Sequence, residues 1–178
     1  MLVARITMRK GNNLGYGVKE GVLLGRRWGF DIVDESDIKN NKNIVVYDRA
    51  RTKRIRNWDG EMETHCRIVA ELGLSKWNGA WHVDLVEVDS RYKGKNLANK
   101  LYRFVLKTLG ITLMAGGVQS AGGRYIWNTL AKDRNITVYA KKGVYSKVID
   151  FPKAGKRELV SNLFDLYDTN AAIFAVAA

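Results

Sequence analysis

Hydrophobic and polar positions change their period along the chain. The run Asn43-Ile44-Val45-Val46-Tyr47 is rich in β-branched residues, and Asp59-Gly60 is a hairpin turn signal. The arm that returns from this turn alternates. Cys66, Ile68, Ala70 and Leu72 fall on one face, and His65, Arg67, Val69 and Glu71 on the other. This pattern predicts a long hairpin from about 43 to 72, with His65 at the surface. His82 to Val88 is a further strand. Leu97, Leu101, Phe104, Val105 and Leu109 then share one face of a helix, which Gly110 is suited to terminate. A short strand over 111–115, a break at Gly116-Gly117, a helix from about Ala121 to Lys132 and a strand over 136–140 follow. Leu159, Val160, Leu163, Phe164 and Tyr167 predict one more helix over 156–167. The first 80 residues are mainly strand-like, whereas 82–140 reads β-α-β-α-β.

The length, 178 residues, suits one domain over 1–178, and a hydrophobic fraction of 46% supplies a core. No segment approaches the ~20 apolar residues that cross a bilayer, and the final Ala-Ala-Ile-Phe-Ala-Val-Ala-Ala is too short. Met1 to Ile6 lacks the apolar centre of a secretion signal. Cys66 is the single cysteine, so an intrachain disulfide is excluded, and the two histidines lie far apart in sequence, which gives a metal site no support. The expectation is a cytoplasmic protein without membrane or metal.

Charge changes the picture more. The net charge of +12 attracts polyanions. Arg49, Arg51, Lys53, Arg54 and Arg56 crowd one stretch of the hairpin, ahead of Asn57-Trp58-Asp59-Gly60. This stretch reads as a solvated hairpin end or as an electropositive arm over an acidic acceptor. The tryptophans at 28, 58, 77, 81 and 127 suit core packing and hairpin-tip contacts, or stacking on bases.

The segment that carries chemistry lies between the strand ending at Val88 and the helix beginning near Leu97. Backbone N–H groups at a helix start have no intrahelical partner, and the helix dipole adds partial positive charge, so phosphate binds there. Lys93 and Lys95 add full charges, and Gly94 lets the backbone come close to a ligand. Alone, such a segment is by default a solvated helix start.

The whole run Val88-Asp89-Ser90-Arg91-Tyr92-Lys93-Gly94-Lys95-Asn96-Leu97-Ala98-Asn99-Lys100-Leu101-Tyr102 resembles the acetyl-CoA signature of the GNAT superfamily of N-acetyltransferases. In that signature Gln/Arg-x-x-Gly-x-Gly/Ala opens a long helix after a strand. Lys93 stands for the usual Gln or Arg, Asn96 for the first glycine, and Ala98 for the final small residue. Asn is the non-glycine residue that best tolerates left-handed backbone geometry. The strand over 111–115, then Gly117-Val118-Gln119-Ser120, a helix and a strand, is also the family's succession. Gln119-Ser120, Gly122-Gly123 and Trp127 are similar to a pattern of bacteriophage members.

The resemblance implies an α/β fold with a central mixed β-sheet, splayed between the strand at 82–88 and the strand at 111–115 and flanked by helices. It implies acetyl-CoA as co-substrate, its pyrophosphate on Lys93, Gly94, Lys95, Asn96, Leu97 and Ala98, and its pantetheine along Val86 and Val88. The family's CoA-contacting Asn is Ser120 here. The tyrosine that often protonates the departing thiolate is Trp127, which has no exchangeable hydroxyl. Tyr125 lies on a different helical face, and Tyr139 is another candidate. The implied reaction is direct attack of an amine on the thioester in a ternary complex.

An amine must lose a proton before or during that attack. His82 stands where some family members carry a glutamate base, and an imidazole ordinarily titrates near ~6.5. Asp84 shares its face by period two and could orient it. The alternative is a histidine at a strand start whose hydrogen bonds are simply satisfied. The acceptor stays open among a protein, a small amine and a nucleic acid. Two other readings also stand: a nucleic-acid-binding or nucleic-acid-modifying protein that uses the 49–56 hairpin, and a non-catalytic phage protein that blocks a host factor in the host cytoplasm.

Overall fold

The computed structural model describes residues 14–19, 21–36, 39–77, 79–116, 120–142, 149–150 and 171–178. The helix expected over 156–167, the loop residues 117–119 and the segment Met1 to Ile6 lie outside them. The chain divides into two compact units, one of Met1–Leu74 with Leu85–Ala98, the other of Ser75–Asp84 with Asn99–Ala178.

The first unit is built from strands. They are β1 (Tyr16–Gly17), β2 (Val22–Arg27), β3 (Phe30–Asp34), β4 (Asn41–Arg56), most of β5 (Met62–Trp77) and the end of β6 (Ala80–Val88). The order is β2-β3-β4-β5-β6, and β1 pairs antiparallel with β5. The hairpin expected over 43–72 is present and longer, with sixteen residues in each of β4 and β5. Its turn closes where Asn57 N–H donates to Glu61 O at 2.8 Å. Leu14, Val33, Val45, Tyr47 and Ile68 form a core under this sheet, with Cys66 packed against it.

The alternation along β5 did not mark a solvent face. Arg67 and Val69 are buried as fully as Ile68 and Ala70. His65 is half-buried, not at the surface, with Nε2 3.0 Å from Glu63 Oε2. The reason is position. β5 has neighbours on both edges, and Tyr16 and Asp89 meet Arg67 on the face the polar residues were expected to show to water.

The second unit holds two helices and a mixed sheet. The helices are α1, Leu97–Thr108, which leaves the first unit after Ala98, and α2, Ala121–Ala131. The further strands are β7 (Leu113–Met114), β8 (Ile136–Lys142), β9 (Ile149–Asp150) and β10 (Ala171–Ala177). Their order, from the first half of β6, is β6-β7-β10-β8-β9. β6 and β7 are parallel, through Trp81↔Leu113 and His82↔Met114. The remaining pairs are antiparallel. The fold class is thus α/β with a mixed sheet and flanking helices, as expected.

α1 forms where its apolar stripe predicted, burying Leu97, Leu101, Phe104 and Val105. It ends at Gly110, whose φ of +64° only glycine adopts without strain. α2 packs on β8 and buries Ile126, Trp127 and Leu130. The final apolar run is β10, inserted between β7 and β8, with Phe174 stacked on Tyr139 at 5.4 Å. Among the described residues no helix is long and apolar enough to cross a membrane.

Candidate active site

The strand-to-helix segment departs from regular geometry at two places. Gly94 has φ +78° and Asn96 φ +57°, on either side of Lys95. The alternation turns the chain sharply before α1 and leaves residues 93–96 exposed. A Cβ at Gly94 would meet nothing within 4 Å, so glycine is required there by backbone angle and not by crowding. Asn96 occupies the left-handed region that asparagine tolerates best among side-chain-bearing residues. Leu97 is buried and anchors the far end; Ala98 is half-buried.

The near end is anchored by a polar cluster that the sequence did not reveal. Asp89 is fully buried. Its carboxylate accepts from Arg67 Nη2 at 2.7 Å and from the Arg91 backbone N–H at 3.0 Å, so it caps the single 3-10 turn Ser90–Tyr92. Arg67 is buried as well. Burial is the largest influence and works against its charge, but hydrogen bonds to Asp89 and Tyr16 and the charges of both together outweigh it and hold the guanidinium above its usual range. Tyr92 is buried and donates to Asp48 Oδ2 at 2.6 Å. Lys95 Nζ lies 4.9 Å from the centre of the Tyr92 ring, so the loop folds back over its own anchor.

Burial, and then the hydrogen bond to the Asp48 carboxylate, push the Tyr92 phenol up to about 12. A raised folded value in an acid of this kind stabilises the fold below the unfolded value, near ~10. That contribution is lost as pH rises from there through about 12. Tyr92→Phe removes the donor and leaves the Asp48 oxygen short of a partner, at an expected cost of about 1–3 kcal/mol at neutral pH. Urea unfolding at pH 7 and at pH 11.5 checks both statements: the difference between wild type and variant should shrink at the higher pH.

β6 carries the remaining candidates. His82 and Asp84 lie on one face of the strand, with His82 Nδ1 2.7 Å from Asp84 Oδ1. Ser75 Oγ donates to the same oxygen at 3.0 Å, a partner that the sequence offered no signal to find. A carboxylate only accepts, so the imidazole proton sits on Nδ1, and Nε2 is left with its lone pair. Such a ring, when neutral, can accept a proton on Nε2. Val83, of opposite parity, is buried, while Val86 and Val88 are half-buried.

Ser120 belongs to the second unit, where its Oγ accepts from Gly123 N–H at 3.1 Å and caps α2. Trp127 is fully buried and meets Tyr102 edge-on at 6.1 Å. Tyr125 is exposed on another face of α2, as its position implied. Burial raises the Tyr102 phenol well above its ordinary range.

No family profile matches the chain, and no curated protein matches it. Among solved structures it is similar to the ribosomal-protein-S18-alanine N-acetyltransferase from Escherichia coli. That match has 13% identity and a TM-score of 0.39, over 79% of this chain and 71% of that one. An IAA acetyltransferase from Bacillus cereus ATCC 14579 is similar at 11% identity and a TM-score of 0.38, over 79% of each chain. Overlap at this level does not fix an activity. The residues themselves offer a sharply turned, lysine-bearing loop opening into a helix, and a histidine whose Nδ1 is held by a carboxylate.

Proposed function

We propose that the protein is an N-acyltransferase that moves an acetyl group from acetyl-CoA to an amine. The observation that carries this reading is the pair of left-handed residues, Gly94 and Asn96, in the segment whose sequence resembles the GNAT signature. The Lys93 and Lys95 N–H groups are taken by Ser90 O and Tyr92 O, so the N–H groups that open α1, with the two lysine side chains, would hold a diphosphate. Val86 and Val88 would pair with the pantetheine arm through their backbone, and Ser120 would contact CoA from the start of α2. The mixed sheet with a short parallel β6–β7 pairing supports the same reading.

The chemistry is assigned to His82 and Asp84. His82 Nε2 takes the proton from the amine as its nitrogen attacks the thioester carbonyl. The C–S bond breaks, the acetyl group leaves on nitrogen as an amide, and CoA departs as its thiolate. Asp84, steadied by Ser75, keeps Nδ1 protonated and offsets the imidazolium charge that develops. The acceptor is an amine on a protein, a small molecule or a nucleic acid.

Isothermal titration with acetyl-CoA tests the loop. Wild type is expected to bind, and Gly94→Glu to lose binding at least a hundredfold, because it puts a carboxylate where the phosphates would lie. Gly94→Ala separates charge from strain, which costs about 1 kcal/mol at a positive φ. Equal binding by wild type and Gly94→Glu, or none by wild type at millimolar acetyl-CoA, overturns the assignment.

A further inference from the structure

The first unit carries a charged array that acyl transfer does not use. Asp31 is fully buried, yet Lys19 Nζ, Arg26 Nε and Arg49 Nε all converge on its carboxylate, the two arginines at 3.3 and 3.2 Å. Three cations against one carboxylate leave a surplus of positive charge. The arginine side chains remain 62% and 50% exposed, so this surplus faces water. Arg51 repeats the device beside Asp48, with Nε 3.9 Å from Oδ2 and its side chain 61% exposed. In all three the carboxylate meets Nε. The two terminal nitrogens of each guanidinium, the edge that forks onto a phosphate, are not spent on it.

The array continues along β4. Every residue from Arg49 to Arg56 is exposed, so neither face of this stretch is covered. It carries five cations and no carboxylate over roughly 23 Å of extended strand. At the turn beyond it Trp58 is 84% exposed, a large apolar ring with nothing packed over most of it.

We propose that this surface, from Arg26 through Arg49 and Arg51 to the β4–β5 tip, binds single-stranded nucleic acid. The buried Asp31 carboxylate draws Arg26 and Arg49 together before binding, so less side-chain entropy is lost when phosphates arrive. Arg54 and Arg56 extend the track, and Trp58 stacks on an unpaired base. The stacking ring selects a single strand over a duplex, whose bases are already stacked, and over an acidic peptide, which has none. The proposal does not rest on the acyl-transfer reading, because its residues lie outside the loop at 93–98 and outside His82 and Asp84.

The test is fluorescence anisotropy of a labelled 20-nucleotide oligothymidine with the full chain, without acetyl-CoA, from 50 to 300 mM KCl. Binding is expected to weaken with salt, with a slope of about −0.7 for each phosphate neutralised, hence roughly −3.5 where Arg26, Arg49, Arg51, Arg54 and Arg56 each neutralise one. Arg49→Gln and Arg51→Gln should each lower affinity severalfold and flatten the slope. Trp58→Ala should lower affinity about five- to a hundredfold with the slope unchanged. Lys132→Gln, the same loss of charge in the second unit, should bind as wild type. Circular-dichroism melts identify any variant that has lost its fold. Any of four results overturns the proposal: no binding at 50 mM KCl, equal loss in Lys132→Gln and Arg49→Gln, a duplex of the same length bound more tightly, or polyglutamate bound as tightly.

Discussion

His82→Ala is expected to lower kcat by about 10²- to 10⁴-fold, the range a positioned general base supplies. The expectation follows from the 2.7 Å contact between His82 Nδ1 and Asp84 Oδ1, which fixes the tautomer and leaves Nε2 as the only basic atom of the ring. Two readouts separate this role from a structural one. The KM for acetyl-CoA should hold, because the loop at 93–98 is not altered. Added imidazole should restore part of the rate. Asp84→Asn should give a smaller loss, as an amide can no longer offset the imidazolium charge. A rate unchanged in His82→Ala would sink the assignment and point to water or to an already neutral amine.

Asp89→Ala is expected to destabilise the fold more than Tyr92→Phe does. Asp89 and Arg67 are both buried and lie 2.7 Å apart. Removing the carboxylate strands a guanidinium in a place with little water, which costs about 3–5 kcal/mol, or a fall of roughly 10 °C in Tm. It also removes the acceptor that caps the turn at Ser90–Tyr92. Arg67→Met combined with Asp89→Leu should recover much of the loss, because a buried pair replaced by apolar side chains of similar size is often near neutral. Thermal unfolding of wild type, the single variant and the double variant decides this. If Asp89→Ala melts within about 2 °C of wild type, the pair is not a desolvated one.

Periodic features were legible in the sequence because neighbouring residues carry them. The α1 stripe and the arms about Asp59-Gly60 are set by local spacing, and the structure has both. The bent loop was legible too, since Gly94 and Asn96 are the residue types that positive φ demands. What failed was burial. Alternation alone places His65, which shares a face with Arg67, at the surface, but alternation assigns two faces and does not say whether the second is covered. That depends on Asp89 and Tyr16, both distant in sequence. The alanine-rich run Ala171–Ala177 has weak strand preference of its own and becomes a strand because β7 and β8 both pair with it. Similarly, only the folded chain brings Ser75 to Asp84.

β10 sets a schedule for folding. β7 and β8 are not hydrogen-bonded neighbours; each pairs with β10, which lies far downstream of both in sequence. Until that late segment arrives, two strands hold open backbone edges beside a partly formed core. A chain in that condition is prone to pair with another like it. Closing the gap brings together strands separated by a long stretch of sequence, a pairing slower to form than the local hairpin of the first unit. Expression at lower temperature, or with a chaperone that shields open strands, should therefore raise the yield of native protein more than any change at the β4–β5 tip.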